Sequence, residues 1–340
     1  MVAPATDPQR IQQILDVAVS RARGLEGGEP ATYIPELANA DLNQTSAAVV
    51  LCNGSTLTAG DAETHRFTLQ SSAKTMQLAG LLQDRGEAEV FGKVGREPSG
   101  GSFASIGRLE TVDKLPANPL INAGAIALAS LLRGNLEDRL AWLDGWIERL
   151  YGRALHVNNR VLASERRTGD KNRAIAYVLK ANGVLDGEVD EVLETYFSKC
   201  SYEGGVADVA RFAATLATEG VVPGTRRRVL GRREASVVVS LMATCGMYDE
   251  SGTYLAATGL PAKSGVSGVI MAVAPGRAGI AVASPRINAK GGSVRGHAIL
   301  RDLSRELNWH FASPGNTILD EDEQREQPLD SGGGSAMLGR

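Results

Sequence analysis

The sequence predicts a mixed α/β fold of the α+β kind: an antiparallel sheet flanked by helices, with a helical lobe inserted between its strands. Three observations carry this reading. Apolar β-like runs joined by strong turn signals lie near both ends of the 340-residue chain. The stretch from about residue 90 to 250 has helical periodicity instead, interrupted by Gly and Asn breaks and without a repeat of fixed period. One helical pattern precedes the first hairpin and another follows the last, so the two hairpins can join into one sheet with terminal helices against a face. The expected lobes are a sheet lobe of about 1–75 and 255–312 and a helical lobe of about 76–254, with 313–340 read as a disordered tail.

In chain order, residues 8–23 place Ile11, Ile14, Leu15, Val17 and Ala18 at helical spacing and stop at the glycine-rich break from Gly24 to Gly28. Ala47 to Cys52 reads as a buried strand, Asn53-Gly54 as a hairpin turn, and Ser55 to Gly60 as the returning strand. Phe67 ends a short alternating run, and Leu78, Leu81 and Leu82 then recur at helical spacing. Helical stretches follow at Leu136–Leu143, Asn172–Leu179, Asp190–Phe197 and Val206–Leu216, their Leu and Trp stripes expected in the core. From Pro261 the character changes again. Val269–Ala274 and Gly279–Ala283 are β-like runs around Pro275-Gly276-Arg277, and a last helix covers about Ser293 to Trp309.

Composition narrows the function. With 36 basic and 39 acidic residues the net charge is −3, which gives no footprint for nucleic acid or an anionic membrane. Arg226-Arg227-Arg228 with Arg232-Arg233 is local and reads as a solvated rim. Met1 to Pro8 shows no signal peptide, and no apolar run nears the ~20 residues of a membrane span. Cys52, Cys200 and Cys245 make no disulfide framework, so the expected compartment is the cytoplasm. His65, His156, His297 and His310 lack metal-ligand spacing; neither metal nor cofactor is expected.

The chemistry concentrates in Gln70-Ser71-Ser72-Ala73-Lys74. Ser71 falls where a helix begins, and Lys74 lies one turn on, on about the same face. A serine hydroxyl is a weak nucleophile until a neighbour takes its proton, and a buried, neutral amine can do so. N–H groups at the helix start can then hold an oxyanion. Ser-x-x-Lys is a signature of serine acyl-transfer enzymes such as the β-lactamases, and the predicted two-lobed architecture matches the β-lactamase and D,D-peptidase-like fold. The competing reading is a helix cap, at Ser71 or Ser72, followed by a solvated lysine.

Further strings occur in order: Val94-Gly95-Arg96-Glu97-Pro98-Ser99-Gly100; Asn118-Pro119-Leu120-Ile121-Asn122-Ala123-Gly124; Ala163-Ser164-Glu165 with Asn172; Cys245-Gly246-Met247-Tyr248-Asp249; and Gly259-Leu260-Pro261-Ala262-Lys263-Ser264-Gly265-Val266. Together, from about Tyr33 to Gly296, they closely resemble the serine-dependent glutaminase family, β-lactamase-like enzymes that hydrolyse L-glutamine to L-glutamate and ammonia. The resemblance implies Ser71 as nucleophile, Lys74 as its base, and Tyr33 and Tyr248 as active-site tyrosines. It implies Asn122, Glu165, Asn172 and Tyr196, with Ser71 and Tyr248, as substrate-binding positions. The Val266 backbone would share the oxyanion hole with the Ser71 N–H. It also implies a homodimer or homotetramer without cofactor. The residue chemistry agrees: a free amino acid needs an anion for its ammonium, which Glu165 offers, and donors for its carboxylate, which Asn122 and Tyr196 offer. The chain departs from the family at Ser72-Ala73, at Gly204-Gly205, and at Gly292, where the family tends to asparagine.

Three other readings compete. Lys263-Ser264-Gly265 resembles the K-T-G of β-lactamases and related esterases, but no S-D-N or Y-x-N lies between it and Ser71. A Ser-His-Asp hydrolase fits worse, because Gly265-Val266-Ser267-Gly268-Val269 misses the last glycine of the nucleophile elbow. The alternative of another class is a non-catalytic amino-acid-binding module, against which both Ser71 and Lys74 argue.

Overall fold

The computed structural model describes residues 7–99 and 114–313. The expected tail, apart from its first residue, and part of the Val94 to Gly100 string lie outside them. Among the described residues there are eight strands: β1 (Ser46–Leu51), β2 (Thr56–Gly60), β3 (Phe67–Thr68), β4 (His156–Val157), β5 (Tyr202–Gly204), β6 (Ala262–Ser264), β7 (Val269–Ala274) and β8 (Ala278–Ala283). Five form one antiparallel sheet in the order β2-β1-β8-β7-β6. The two expected hairpins therefore meet along β1 and β8, in the register Ser46↔Ala283 to Leu51↔Ala278.

Both faces of this sheet are covered, and side chains alternate between them. Ala47, Val49 and Leu51 pack with Ile11, Leu15, Val19, Ile299 and Leu303 of the terminal helices Pro8–Arg23 and Val294–Glu306. Ala48 and Val50 join the helical core on the other side. Dual coverage explains why β1, β7 and β8 read as unbroken apolar runs. The terminal helices are capped as their sequences suggest. Asp7 accepts from Gln9 N ahead of Pro8, and Ser293 accepts from Gly296 N.

On the helical side, Val206–Ala217 lies against the sheet at very short range. A Cβ on Gly279 of β8 would sit 1.9 Å from Ala214 N and 2.3 Å from Ala210 O, both backbone atoms that cannot swing aside. Gly279→Ala should therefore cost at or above the ~3 kcal/mol upper end of ordinary overpacking. Urea or thermal melting checks this; an unchanged midpoint would show that the helix can lift off the sheet freely.

Arg295, 3 % exposed, fastens the segment that carries Tyr33 to the Val294–Glu306 helix. Its guanidinium donates to Arg23 O, Leu25 O, Leu42 O and Asn43 O, bracketing that segment on both sides. The basic cluster is a rim, as expected: Arg232 pairs with Glu219 at 2.7 Å and Arg233 with Glu87 at 2.6 Å. Among the described residues no helix is long and apolar enough to cross a membrane.

The second sheet, β3-β5-β4, is not foreseen by the periodicity. Two- and three-residue strands are too short to display a period of two. It nonetheless sets the site, since β3 leads directly into Ser71 and is paired to β5, just beyond Cys200. The Gly204-Gly205 pair does not loosen the next helix: β5 runs through Gly204, and Asp208 accepts from Gly205 N at 2.9 Å.

Candidate active site

Ser71 stands on a single 3₁₀ turn, Gln70–Ser72, that opens the Ala73–Phe91 helix. Gln70 has φ 47°, in the left-handed region that costs a non-glycine residue roughly 1–3 kcal/mol. Ser72 Oγ donates to Leu69 O at 2.6 Å and closes the turn from inside. The competing cap is thereby occupied, and Ser71 remains for the cleft. Its hydroxyl hydrogen-bonds the phenol of Tyr248, itself at φ 55°. The Tyr248 O–H donates onward to Ser264 O at 3.2 Å, at the end of β6.

A cavity of about 300 Å³ opens beside Ser71, with Tyr33, Gln70, Asn122, Glu165, Asn172 and Tyr196 on its wall. Glu165 and Asn172 belong to different helices, Asn159–Thr168 and Asp170–Ala181, joined at Gly169. A Cβ there would meet Glu165 O and Phe197 Cζ at 2.6 Å, so only glycine lets the two helices join this tightly and turn both side chains inward. Tyr33 leaves half its surface in solvent, yet its phenol reaches in far enough to feel Glu165 and Tyr248. Val266 is not on the cavity wall. It follows Gly265, where a Cβ would come within 2.9 Å of Leu69 O and 3.5 Å of Ser72 N, so its backbone runs close to the Ser71 turn.

Lys74 is 1 % exposed and donates to Asn122 Oδ1 at 2.7 Å; Asn122 Nδ2 in turn donates to Asn172 Oδ1 at 3.0 Å. Asn122 thus keeps one N–H for a ligand. Burial lowers Lys74 to about 7, with Lys199 adding to the shift and Cys200 and Glu165 opposing it. A neutral amine is therefore accessible near pH 7. Burial raises Glu165 to about 7 against its hydrogen bond to Gln70 and the field of Lys74. Burial also pushes Tyr248 up to about 12, so it keeps its proton at neutral pH. Lys263, fully buried on β6, donates to Ser264 O at 2.6 Å and lies 4.2 Å from the centre of the Tyr248 ring. Desolvation, then Lys74, holds it well below the normal lysine range.

A serine and a carboxylate thus line one small cavity, with a buried lysine one helical turn from the serine. The glutaminase family profile matches residues 28–311. The chain is 46% identical over 302 residues to a glutaminase of Legionella pneumophila (strain Paris), covering 89% of this chain and 97% of that one. The chain belongs to the glutaminase family. It is also 41% identical over 287 residues to glutaminase 2 of Clostridium perfringens (strain 13 / Type A), covering 84% and 94%. The solved structure of Mglu in its glutamate form superposes with a TM-score of 0.85 at 38% identity, over 91% of this chain and 71% of that one. The fold class expected from the sequence is thus the fold of this glutaminase-family chain.

Several wall residues escape the sequence reading. Gln70 is one: its Nε2 donates to Thr68 Oγ1 at 3.2 Å, and its amide also bonds Glu165. Its only sequence signal is adjacency to Ser71. Cys200 lines the cavity one helical turn after Tyr196 and hydrogen-bonds it, which the i, i+4 spacing makes readable. Lys171, exposed at the wall beside Asn172, offers a cation at the mouth that no motif marks.

Proposed function

We propose that this glutaminase-family chain hydrolyses the side-chain amide of L-glutamine to L-glutamate and ammonia through an acyl-enzyme on Ser71. The observation that carries the mechanism is a serine on the wall of a small cavity with a buried lysine one turn away, lowered by desolvation to about 7. Lys74 Nζ accepts the Ser71 proton, with the Tyr248 phenol as relay, while Oγ bonds to the amide carbon. The carbonyl electron pair moves onto oxygen, which the N–H groups of Ser71 and Val266 stabilise. Collapse breaks the C–N bond, and the proton held by Lys74 returns through Tyr248 to the nitrogen, which leaves as ammonia. Water then adds to the acyl carbon and gives a proton to Lys74, which passes it to Ser71 Oγ as the C–O bond breaks, releasing glutamate and restoring the free hydroxyl and the neutral amine. Glu165 pairs with the substrate ammonium; Asn122, Tyr196 and Tyr33 offer donors to its carboxylate, and Asn172 holds Asn122 in orientation.

Ammonia release from L-glutamine, beside L-asparagine and D-glutamine, tests this directly. L-Glutamine should be turned over best, since asparagine is one methylene too short to bring its carbonyl to Ser71 while its ammonium stays on Glu165. Preferred turnover of nitrocefin would indicate a β-lactamase, and glutamine binding without ammonia a non-catalytic module. Family resemblance also supports a homodimer or homotetramer, tested by light scattering in solution. The free thiols of Cys52, Cys200 and Cys245 support a cytoplasmic setting, tested by fractionation of cells.

Glu165 supplies specificity in this reading. Removing one member of a desolvated charge pair costs roughly 3–5 kcal/mol, and less in a partly wet pocket. Glu165→Gln should lose about 10²-fold or more in kcat/KM for glutamine. Glutaramate, which lacks the α-amino group, should be a poor substrate of the wild type and little worse for Glu165→Gln. Equal loss with both substrates would remove Glu165 from the ammonium site.

A further inference from the structure

Lys199 is a buried cation that the mechanism above leaves unused. It is 1 % exposed, on the last turn of the Val189–Cys200 helix. Its Nζ donates to Gln77 Oε1 and lies 4.7 Å from the centre of the Tyr196 ring. Gln77 comes three residues after Lys74, on the same side of the same helix. Its Nε2 donates to Ala125 O at 3.2 Å, on the Asn122–Ala129 helix. Two brackets therefore join the same pair of helices one turn apart: Lys74 to Asn122, and Gln77 to Ala125 with Lys199 behind it. Apolar side chains would join them without the several kcal/mol that burying an ammonium on neutral partners costs. What apolar side chains lack is charge.

We propose that Lys199 is a positioning residue for acylation: a second buried ammonium that keeps the adjacent Lys74 amine unprotonated and able to accept the Ser71 proton. The inference rests on Lys74 being the base. The helix ends give the two lysines opposite tendencies. Lys74 is the second residue of its helix, where the positive end of the helix dipole opposes an ammonium, and Lys199 sits in a last turn, where the negative end favours one. The titratable groups acting on Lys74 from the surrounding elements are Lys199 and Cys200, Glu165, and Lys263 on β6, with Tyr248 beyond Ser71. Burial keeps Cys200 a thiol, up to about 11, so no thiolate neutralises Lys199. Lys199 itself, lowered by burial to about 8, is mostly charged at pH 7. Glu165 opposes it by drawing a proton onto Lys74, and Cys200 would do so only as a thiolate. A substrate ammonium paired with Glu165 cancels that pull, so the field of Lys199 dominates in the complex where acylation occurs.

The pH profile of kcat tests this, because it reports groups in the substrate complex, where Glu165 is already paired. In Lys199→Met the acid limb should move to higher pH by roughly half a unit or more, so that activity falls at pH 6 and much less at pH 9. Lys199→Met strands Gln77 Oε1, so Lys199→Met combined with Gln77→Leu removes both partners and should show the same shift. Lys199→Arg, which keeps the charge, should leave the limb near its wild-type position. An unmoved limb in both neutral variants, with a uniform loss of rate at every pH, would overturn the proposal and make Lys199 a structural residue. If the acid limb persists in the residual activity of Lys74→Ala, it never belonged to Lys74, and the base reading falls together with this one.

Discussion

Ser71→Ala is expected to abolish glutamine turnover, with kcat lower by roughly 10⁴-fold or more, while the protein stays folded. The expected rate loss is large because Ser71 is the proposed site of the acyl-enzyme. Cys200 lines the same wall, but burial raises its thiol to about 11, which leaves almost no thiolate at neutral pH. The stability loss is small because the hydroxyl caps no helix. Its bond to Tyr248 is one hydrogen bond, worth about 1 kcal/mol. Circular dichroism and melting of the variant separate the two effects. Mass mapping after treatment with 6-diazo-5-oxo-L-norleucine should find the adduct on Ser71 in the wild type. An adduct on Cys200 or Cys245 would refute the serine mechanism.

Lys74→Arg should be nearly as damaging as Lys74→Ala, each lowering kcat by roughly 10²–10⁴-fold. Guanidinium keeps the charge but accepts no proton in the accessible pH range, so the comparison separates a base from an electrostatic anchor. The sign of the pH dependence follows from the depressed lysine. With Lys74 as the proposed base, kcat should fall with acid below about 7, where the lysine is protonated, and level off above it. Glu165, raised to about 7, must also lose its proton to hold the substrate ammonium, and it adds to the acid limb of kcat/KM. With glutaramate that second contribution should vanish, leaving the limb of Lys74 alone. An Arg variant retaining a large share of wild-type kcat would show that the charge of Lys74, not its basicity, serves the reaction.

Local rules made much of this protein legible from its residues. The hairpins around Asn53-Gly54 and Gly276, the two terminal helices, and the Ser71 to Lys74 spacing all depend on contacts within a few positions, where periods of 2 and 3.6 and turn chemistry operate. The joining of the hairpins into one sheet was also readable, because each run is apolar on both faces and has to be covered on both. Only the tertiary structure decided the rest. The Lys74–Asn122 bond spans 48 residues, the Asn122–Asn172 bond 50, and the Lys199–Gln77 bond 122, distances at which no pattern in the chain selects a partner. β3, β4, β5 and β6 have two or three residues each and exist because neighbours pair with them, not because their own sequences demand it. Gln70 and Tyr248 adopt positive φ against their intrinsic preference, held there by the packing around the cavity. The sequence by itself determined which groups could do chemistry; burial, which depends on every layer of the fold at once, lowers Lys74 to about 7 and raises Cys200 to about 11, the difference on which the proposed roles of the two rest.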